Sequence, residues 1–288
     1  MKFDNHANLF LLFITVFGCS NADLDHKEIE KIIERTRPGY EYWLKDIGSK
    51  LVIDTAQLRF WLSEFKDPFA NIVMQSQFEN VNDLDQAIKL VISHAQKSQS
   101  PVCWPVTVAL RPRQTAATLK KNGFEKVLTY EMVELNIKDA HFMDIKNADI
   151  EIKKLDFNSI QEWLNIVGNA FEYNPLLAKA CLKYLEADIK NNSKTQEHFA
   201  GYYKGKLVST GTLLIEYYGG GHVYDIATLP EVQRNGMATA MMQFIIKRAQ
   251  DLGVKTINLL ATDQGKSIYQ KFGFKKLYDI DMYVYNPY

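Results

Sequence analysis

The chain has 288 residues, which is more than a single hydrophobic core usually needs, so we expect two domains. Hydrophobic residues make up 47% and charged residues 24%, a balance that excludes a disordered or fibrous chain. The 34 basic residues balance 34 acidic ones, so the chain lacks the net positive charge with which proteins attract nucleic acid. We therefore expect no nucleic-acid partner.

An apolar stretch near the start, Asn8–Cys19, is similar to a short signal segment that ends in a lipoprotein-type cysteine. Asp4 stands beside a single Lys2, which gives a poor positive region, and the stretch is too short to span a bilayer as a helix. We favour a buried first helix and no membrane partner. Processing before Cys19 is the alternative.

The cysteines and histidines predict neither a metal site nor a disulfide. Cys19, Cys103 and Cys181 lie far apart, and the six histidines form no cluster in the sequence. A reduced compartment with no structural metal is the simplest interpretation.

An internal repeat divides the chain into two similar halves. The segments Lys121–Lys126 and Lys271–Lys276 share lysine, glycine, phenylalanine and lysine at an offset of 150 residues, and Met132 and Met282 keep that offset. The repeat predicts a helix, a Gly-Phe turn and a closing strand in each half. With the polar stretch Lys138–Asn147 as linker, we place the domains at residues 1–140 and 148–288.

Hydrophobic periodicity predicts the elements of both halves in chain order. In the first half we expect a strand at Val106–Leu110, a helix at Thr115–Asn122 and a strand at Val127–Leu135. The second half should contain strands and helices at the following positions: a strand at Ile150–Lys154, an amphipathic helix at Phe157–Phe171, strands at Leu207–Ile215, His222–Thr228 and Lys255–Ala261, a helix at Ser267–Phe272 and a strand at Leu277–Tyr285.

The segment that follows Ile226–Pro230 has the features of an anion site. A strand ends there, the loop Gln233–Ala238 contains one glycine, and a helix is predicted from Met237 to Leu252 with Gly253 as its stop. The first N–H groups of a helix have no partners inside the helix, and the helix dipole favours negative charge there. Gly236 allows the backbone to approach a ligand closely.

The loop Gln233–Ala238 resembles the acetyl-CoA loop of the GNAT superfamily of N-acetyltransferases, which reads Arg or Gln, two residues, Gly, one residue, then Gly or Ala. A second landmark, Ala261–Phe274, has a tyrosine one helical turn before Gly-Phe, as in that superfamily. The two together cover the chain from about Ile150 to its end. The resemblance implies an α/β fold of two tandem GNAT-like domains, each a mostly antiparallel twisted sheet flanked by helices.

The resemblance also implies a role for each residue of the cofactor site. Acetyl-CoA would be the co-substrate, and its pantetheine arm would pair with the backbone of a sheet edge. Its pyrophosphate would be held by backbone amides of the loop and of the first helical turn. The implied cofactor-binding residues are Ile226, Ala227, Thr228, Gln233, Arg234, Asn235, Gly236, Met237, Ala238 and Thr239. Gln233 stands where arginine is commoner, so it contributes no charge.

Acetyl transfer to an amine requires an acid for the departing thiolate and a base for the amine. By the resemblance Tyr269 is the acid, because a phenol can give a proton to a thiolate. Asp225 and Glu216 are the candidate bases on or beside the central strands, with His222 as a further candidate. A backbone N–H near Thr228 would stabilise the developing oxyanion.

The N-terminal half resembles the degenerate lobe of tandem GNAT proteins. It has no glycine between Gly48 and Gly123, and Leu119 stands at the offset position of Tyr269. We therefore expect a cytoplasmic N-acetyltransferase, monomer or homodimer, that acts on a primary amine of a small molecule or peptide. The alternative is a non-catalytic acyl-CoA-binding regulator.

Overall fold

The computed structural model describes residues 41, 43–45, 47–216 and 219–288. The apolar stretch Asn8–Cys19, and with it the question of a signal segment, lies outside the described residues. Among the helices that are described, none combines the length and apolar character needed to cross a membrane.

The described residues form two compact units that do not follow the order of the chain. The first contains the described residues up to Glu131 together with Tyr278–Tyr288, and the second contains Met132–Leu277. Two long strands therefore begin in one unit and end in the other. The division into residues 1–140 and 148–288 drawn from the linker stays a proposal.

Both units contain strands and helices. The strands are β1 (Lys50–Asp54), β2 (Leu58–Leu62), β3 (Ile72–Ser76), β4 (Val102–Val106), β5 (Glu125–Asn136), β6 (Ile150–Lys154), β7 (Gln196–Tyr203), β8 (Lys206–Ile215), β9 (Gly220–Thr228), β10 (Thr256–Ala261) and β11 (Lys275–Tyr285). The helices are α1 (Val81–Ser98), α2 (Thr115–Lys121), α3 (Ile160–Ala170), α4 (Pro175–Lys190), α5 (Met237–Asp251) and α6 (Lys266–Phe272).

The two units repeat one sheet pattern. In the first, the order is β1-β2-β3-β4-β11, with one parallel step from β3 to β4 through α1. In the second, the order is β5-β10-β9-β8-β7-β6, with a parallel step from β9 to β10 through α5. The β1–β2, β2–β3, β4–β11, β6–β7, β7–β8 and β8–β9 pairings are antiparallel. The structure confirms the predicted α/β class with a mostly antiparallel sheet in each half.

The repeated Gly-Phe turn has the same conformation in both units. Gly123 follows α2 with φ of 86°, and Gly273 follows α6 with φ of 97°. Only glycine adopts this left-handed conformation without a steric penalty, so the two glycines mark equivalent helix ends.

Each unit has its own hydrophobic core. The first is built from β-strand side chains, the apolar face of α1 and part of α2, including Phe60, Leu84, Ile88, Trp104 and Leu119. The second is built against α5 and α6, including Met241, Ile245, Ile257, Leu259 and Phe272.

Helix α5 lies against the sheet only because β8 has a glycine at the point of contact. A Cβ atom on Gly211 would lie 2.9 Å from side-chain atoms of Ile226, Met241 and Ile245. The absent side chain lets the helix that carries the candidate anion site sit directly on β8 and β9.

One predicted strand is wrong. The strand expected at Val106–Leu110 lies instead at Val102–Val106, with Pro105 opposite Met282. Residues 107–110 form a turn region in which Val108 is 57% exposed. Pro105 lies inside β4 although proline has no N–H to donate to a ladder, and the apolar alternation of Val106–Leu110 begins only where this strand ends. Most other predicted bounds agree to within about two residues.

A buried carboxyl group lies in β5. Glu134 is 6% exposed, and its Oε2 atom has no hydrogen-bond partner within the described residues. Burial away from water disfavours the charged form and raises the pKa of Glu134 to about 8.

We predict that Glu134 makes the protein less stable as pH rises from about 5 to 8. Over this range the unfolded chain is ionised at Glu134 while the folded chain holds the proton, so folding loses up to about 1.4 kcal/mol per pH unit. In Glu134→Gln this loss disappears. The melting temperature of the variant, relative to wild type, should therefore rise between pH 5 and pH 8; parallel pH dependences of the two proteins would contradict the assignment.

Candidate active site

A gap opens between the two central strands of the second unit. β9 pairs with β10 only at three positions, from Gly220↔Thr256 to His222↔Asn258. Beyond them β9 continues to Thr228 and β10 to Ala261 without further pairing in the described ladder. One edge of β9 therefore has backbone groups that no neighbouring strand uses.

A bulge in β9 lies at the start of this gap. Thr212 faces Tyr224 and Thr210 faces Ala227, so the single residue Gly211 faces both Asp225 and Ile226. Asp225 has φ of 55°, an uncommon value for a residue with a side chain.

The bulge determines which backbone groups of β9 face the gap. The carbonyls of Asp225 and Ala227 accept hydrogen bonds from Thr210 Oγ1 at 2.6 Å and Ser209 Oγ at 2.7 Å, and so point toward β8. Because strand residues alternate in direction, the N–H and C=O groups of Ile226 and the N–H of Thr228 point toward the gap.

The loop after β9 presents a row of unpaired amides. In the described part of the chain, none of the backbone N–H groups from Arg234 to Thr239 donates a hydrogen bond to the protein, whereas Gln233 and Ala240 do. Helix α5 begins at Met237, and no side chain caps it. Six donors and the positive end of a helix dipole therefore converge on one place.

The conformation of the loop explains why its amides face outward. Gly236 has φ of 90° and Arg234 has φ of 64°. The carbonyls of Val232 and Gln233 accept from the Asn235 side-chain amide at 3.2 and 3.4 Å, so these oxygens turn inward. Gln233 itself donates from Nε2 to the Thr228 carbonyl at 3.3 Å and ties the loop to the end of β9.

The equivalent helix of the first unit has no such row. α1 follows β3 in the same parallel step, but Asn80 caps it: Asn80 Oδ1 accepts from the Asp83 N–H at 3.0 Å. Asp83 also places a carboxylate in the first turn. A filled cap and a negative charge exclude a phosphate from this helix end, which agrees with a degenerate first lobe.

Asp225 lies beside the gap with its side chain on the face that α3 and α4 cover. It is half-buried, and Thr212 Oγ1 donates to its Oδ2 at 2.8 Å. Burial raises the pKa of Asp225, while the Thr212 hydrogen bond and His198 oppose the rise.

Glu216 lies at the hairpin before the gap and is engaged by His222. The His222 Nε2 and Glu216 Oε1 atoms are 2.8 Å apart, and the His222 ring stacks on Tyr224 with 6.0 Å between centroids. These two candidates therefore form one pair, at the closed end of the gap.

Tyr269 lies in the core on the opposite face of the sheet, among the residues that pack against α5. It is 9% exposed, and a Cβ atom on Gly265 would lie 3.3 Å from its hydroxyl oxygen. Burial raises the pKa of Tyr269 to about 12, so the phenol keeps its proton at neutral pH.

Three residues of this region were not predicted from the sequence. His198, Thr212 and Asp188 connect to Asp225 through hydrogen bonds, although they lie on β7, β8 and α4. Their positions in the sequence share no spacing, so only the strand pairing brings them together.

A family model covers the region that contains the gap and the loop. Residues 160–274 match the acetyltransferase (GNAT) family. These residues form a GNAT acetyltransferase domain. GNAT domains use acetyl-CoA, and the first lobe shares their fold, as the solved structures below show.

The solved structures extend the likeness over most of the chain. A GCN5-related N-acetyltransferase from Kribbella flavida has a TM-score of 0.64 at 14% identity, over 86% of this chain and 93% of its own. A conserved protein of unknown function from Staphylococcus epidermidis has a TM-score of 0.61 at 13% identity, over 83% and 95%. A GCN5-related N-acetyltransferase from Sphaerobacter thermophilus has a TM-score of 0.56 at 13% identity, over 70% and 66%. At these identities the likeness shows the fold. Among curated proteins, none matches the sequence.

The residues present in the GNAT domain fit acetyl-CoA. The six outward amides of 234–239 suit a diphosphate, and the open edge of β9 suits the amides of the pantetheine arm. Arg234 is exposed beside the amide row and adds positive charge.

We predict that Gly236→Ala weakens CoA binding about tenfold or more. An alanine disfavours φ of 90° by about 1 kcal/mol, and relaxation of the loop would turn the amides out of line. The Cβ itself would meet only Ile150 Cδ1 at 3.7 Å, so the effect is conformational.

Gly253→Ala is the matched control, because Gly253 also has a positive φ, 74°, and open space around it, but ends α5 instead of starting it. Calorimetry with CoA and thermal melting should show that both variants lose stability and that only Gly236→Ala loses affinity. Equal affinities would contradict the site.

Proposed function

We propose that this protein is an acetyl-CoA-dependent N-acetyltransferase that acts on a primary amine of a small molecule or peptide. The observation that carries the proposal is the continuity of the amide row at 234–239 with the open edge of β9, which leads to Asp225. Along this path lie the proposed cofactor-binding residues, Ile226–Thr228 and Gln233–Thr239.

When bound, acetyl-CoA supplies the thioester that the amine attacks. For the oxyanion donor expected near Thr228 we propose the Ile226 N–H, which faces the gap next to the bulge and would donate to the carbonyl oxygen as negative charge develops on it. A fixed backbone donor in a site shielded from water is effective because it needs no reorganisation during the reaction.

Asp225 is the favoured base. It lies next to Ile226 in the chain, and its raised pKa brings it closer to neutral pH, where a carboxylate is a better proton acceptor. Glu216 is hydrogen-bonded to His222 at the closed end of the gap, so it is the less favoured base for the amine.

Tyr269 is the proposed donor to the departing sulfur. It lies on the opposite sheet face from Asp225, so the two groups can act on one bond only through the gap between β9 and β10. With a pKa of about 12, well above that of a thiol near 8.5, the phenol contributes mainly a hydrogen bond to the thiolate.

We predict that purified protein releases free thiol from acetyl-CoA in the presence of a suitable primary amine. Tyr269→Phe should lower kcat about 10- to 100-fold, the effect of losing one hydrogen bond to a charged group, and leave the Kd of acetyl-CoA within about twofold.

Tyr283→Phe is the control, because Tyr283 is a buried tyrosine in the core of the first unit. An unchanged kcat in Tyr269→Phe would remove it as the donor. Tight binding of acetyl-CoA with no transfer across a broad amine panel would contradict the enzyme and favour the acyl-CoA-binding regulator.

A further inference from the structure

A continuous chain of hydrogen bonds runs from Asp225 on β9 over the neighbouring strands β8 and β7 to helix α4. Asp225 Oδ2 lies 2.8 Å from Thr212 Oγ1, which lies 2.9 Å from His198 Nδ1. His198 Nε2 lies 3.2 Å from Asp188 Oδ2. The four side chains come from β9, β8, β7 and α4, all within the second unit.

The number of hydrogens in this chain determines the charge of the histidine. The Thr212 hydroxyl has one hydrogen, which it donates to the Asp225 carboxylate, so His198 Nδ1 must donate to the hydroxyl oxygen. Nε2 faces a second carboxylate, Asp188, which accepts but does not donate when ionised. As long as both carboxylates are ionised, both ring nitrogens of His198 must carry hydrogen.

The surroundings favour this arrangement. The His198 side chain is 4% exposed and the Asp188 side chain 13% exposed, so the ion pair is shielded from solvent and its attraction is stronger than at a surface. Trp163 on α3 packs edge-on against the His198 ring at 5.6 Å and limits its rotation. Thr212 is 1% exposed.

We propose that His198, held by Asp188 and acting through Thr212, is a positioning residue that keeps Asp225 ionised and fixes its orientation beside the gap. The proposal rests on the proposed function in which Asp225 is the base.

The physical consequence concerns the pH at which Asp225 can act. Burial raises the pKa of Asp225, and a positive charge on His198 with a hydrogen bond from Thr212 opposes that rise. Other titratable groups face this region: Tyr224 lies near Asp225, Glu216 and Tyr184, and His222 is paired with Glu216. Loss of the His198 charge leaves Asp225 protonated, and therefore inactive as a base, up to a higher pH.

The first test is the pH dependence of kcat/KM, which reports the pKa values of the essential groups in the free enzyme and of the free amine. In His198→Gln, Thr212→Val and Asp188→Asn the acid side of the profile should move to higher pH. A shift of about one pH unit lowers kcat/KM by up to about tenfold on the acid limb of the profile, and on the plateau at higher pH we expect kcat/KM to recover to within about twofold of wild type. The amine's own titration is common to all proteins compared.

Two controls separate positioning from general damage. Thr212→Ser keeps the hydroxyl and should restore the wild-type profile, and His94→Gln, on α1 of the first unit, should leave it unchanged. Asp225→Asn should be slow at every pH. An unshifted profile in His198→Gln and Thr212→Val would overturn the proposal, as would failure of Thr212→Ser to restore it.

The second test does not depend on activity. Nitrogen-15 NMR of the ligand-free protein at pH 7 should show hydrogen on both ring nitrogens of His198, and on only one in Asp188→Asn. A singly protonated wild-type ring would overturn the proposal. If wild type transfers no acetyl group while the ring is doubly protonated, the proposed function fails and the hydrogen-bonded arrangement stands, so the two failures are distinguishable.

Discussion

The separation of β9 from β10 after His222 and Asn258 is the constraint on which the second unit depends. Backbone groups inside a sheet normally satisfy one another, and a strand that parts from its neighbour leaves them without partners. Here the bulge at Asp225 and Ile226 marks where the gap begins, and the amide row at 234–239 extends the line of unused donors. In the proposed function, these open groups are the ones that bind the ligand.

The two lobes show how one fold can carry or lose such a site. Both have a parallel step with a long helix, α1 in the first and α5 in the second. The difference lies in the first helical turn, where Asn80 and Asp83 occupy the helix end of the first lobe and Gly236 leaves that of the second free. Under the proposed function, these few residues at one helix end distinguish the lobe that binds the cofactor from the lobe that does not.

Local signals made much of this structure predictable from the sequence. Gly123, Gly273, Gly236 and Gly253 all have positive φ, and each ends or begins a predicted helix. Such helix ends can be predicted from the sequence because the positive φ is required of a single residue, which is usually glycine. The Gln233–Ala238 loop was predicted for the same reason.

Features that depend on distant pairing were not predictable. β7, α4 and the Asp188–His198–Thr212 connection depend on which strands lie side by side, and no periodicity encodes that choice. Tyr278–Tyr288 belongs to the first unit although it ends the chain, which follows from the pairing of β11 with β4. The strand predicted at Val106–Leu110 was wrong because the strand in the structure includes Pro105, although proline is usually absent from the interior of a sheet.

Amide NMR of the protein titrated with CoA tests the central claim most directly, because it observes the donors themselves. We expect the N–H resonances of residues 234–239 and of Ile226 and Thr228 to shift downfield and to exchange more slowly with solvent. The N–H groups at the start of α1 should remain unchanged. Saturating CoA that leaves the 234–239 resonances in place would contradict the account.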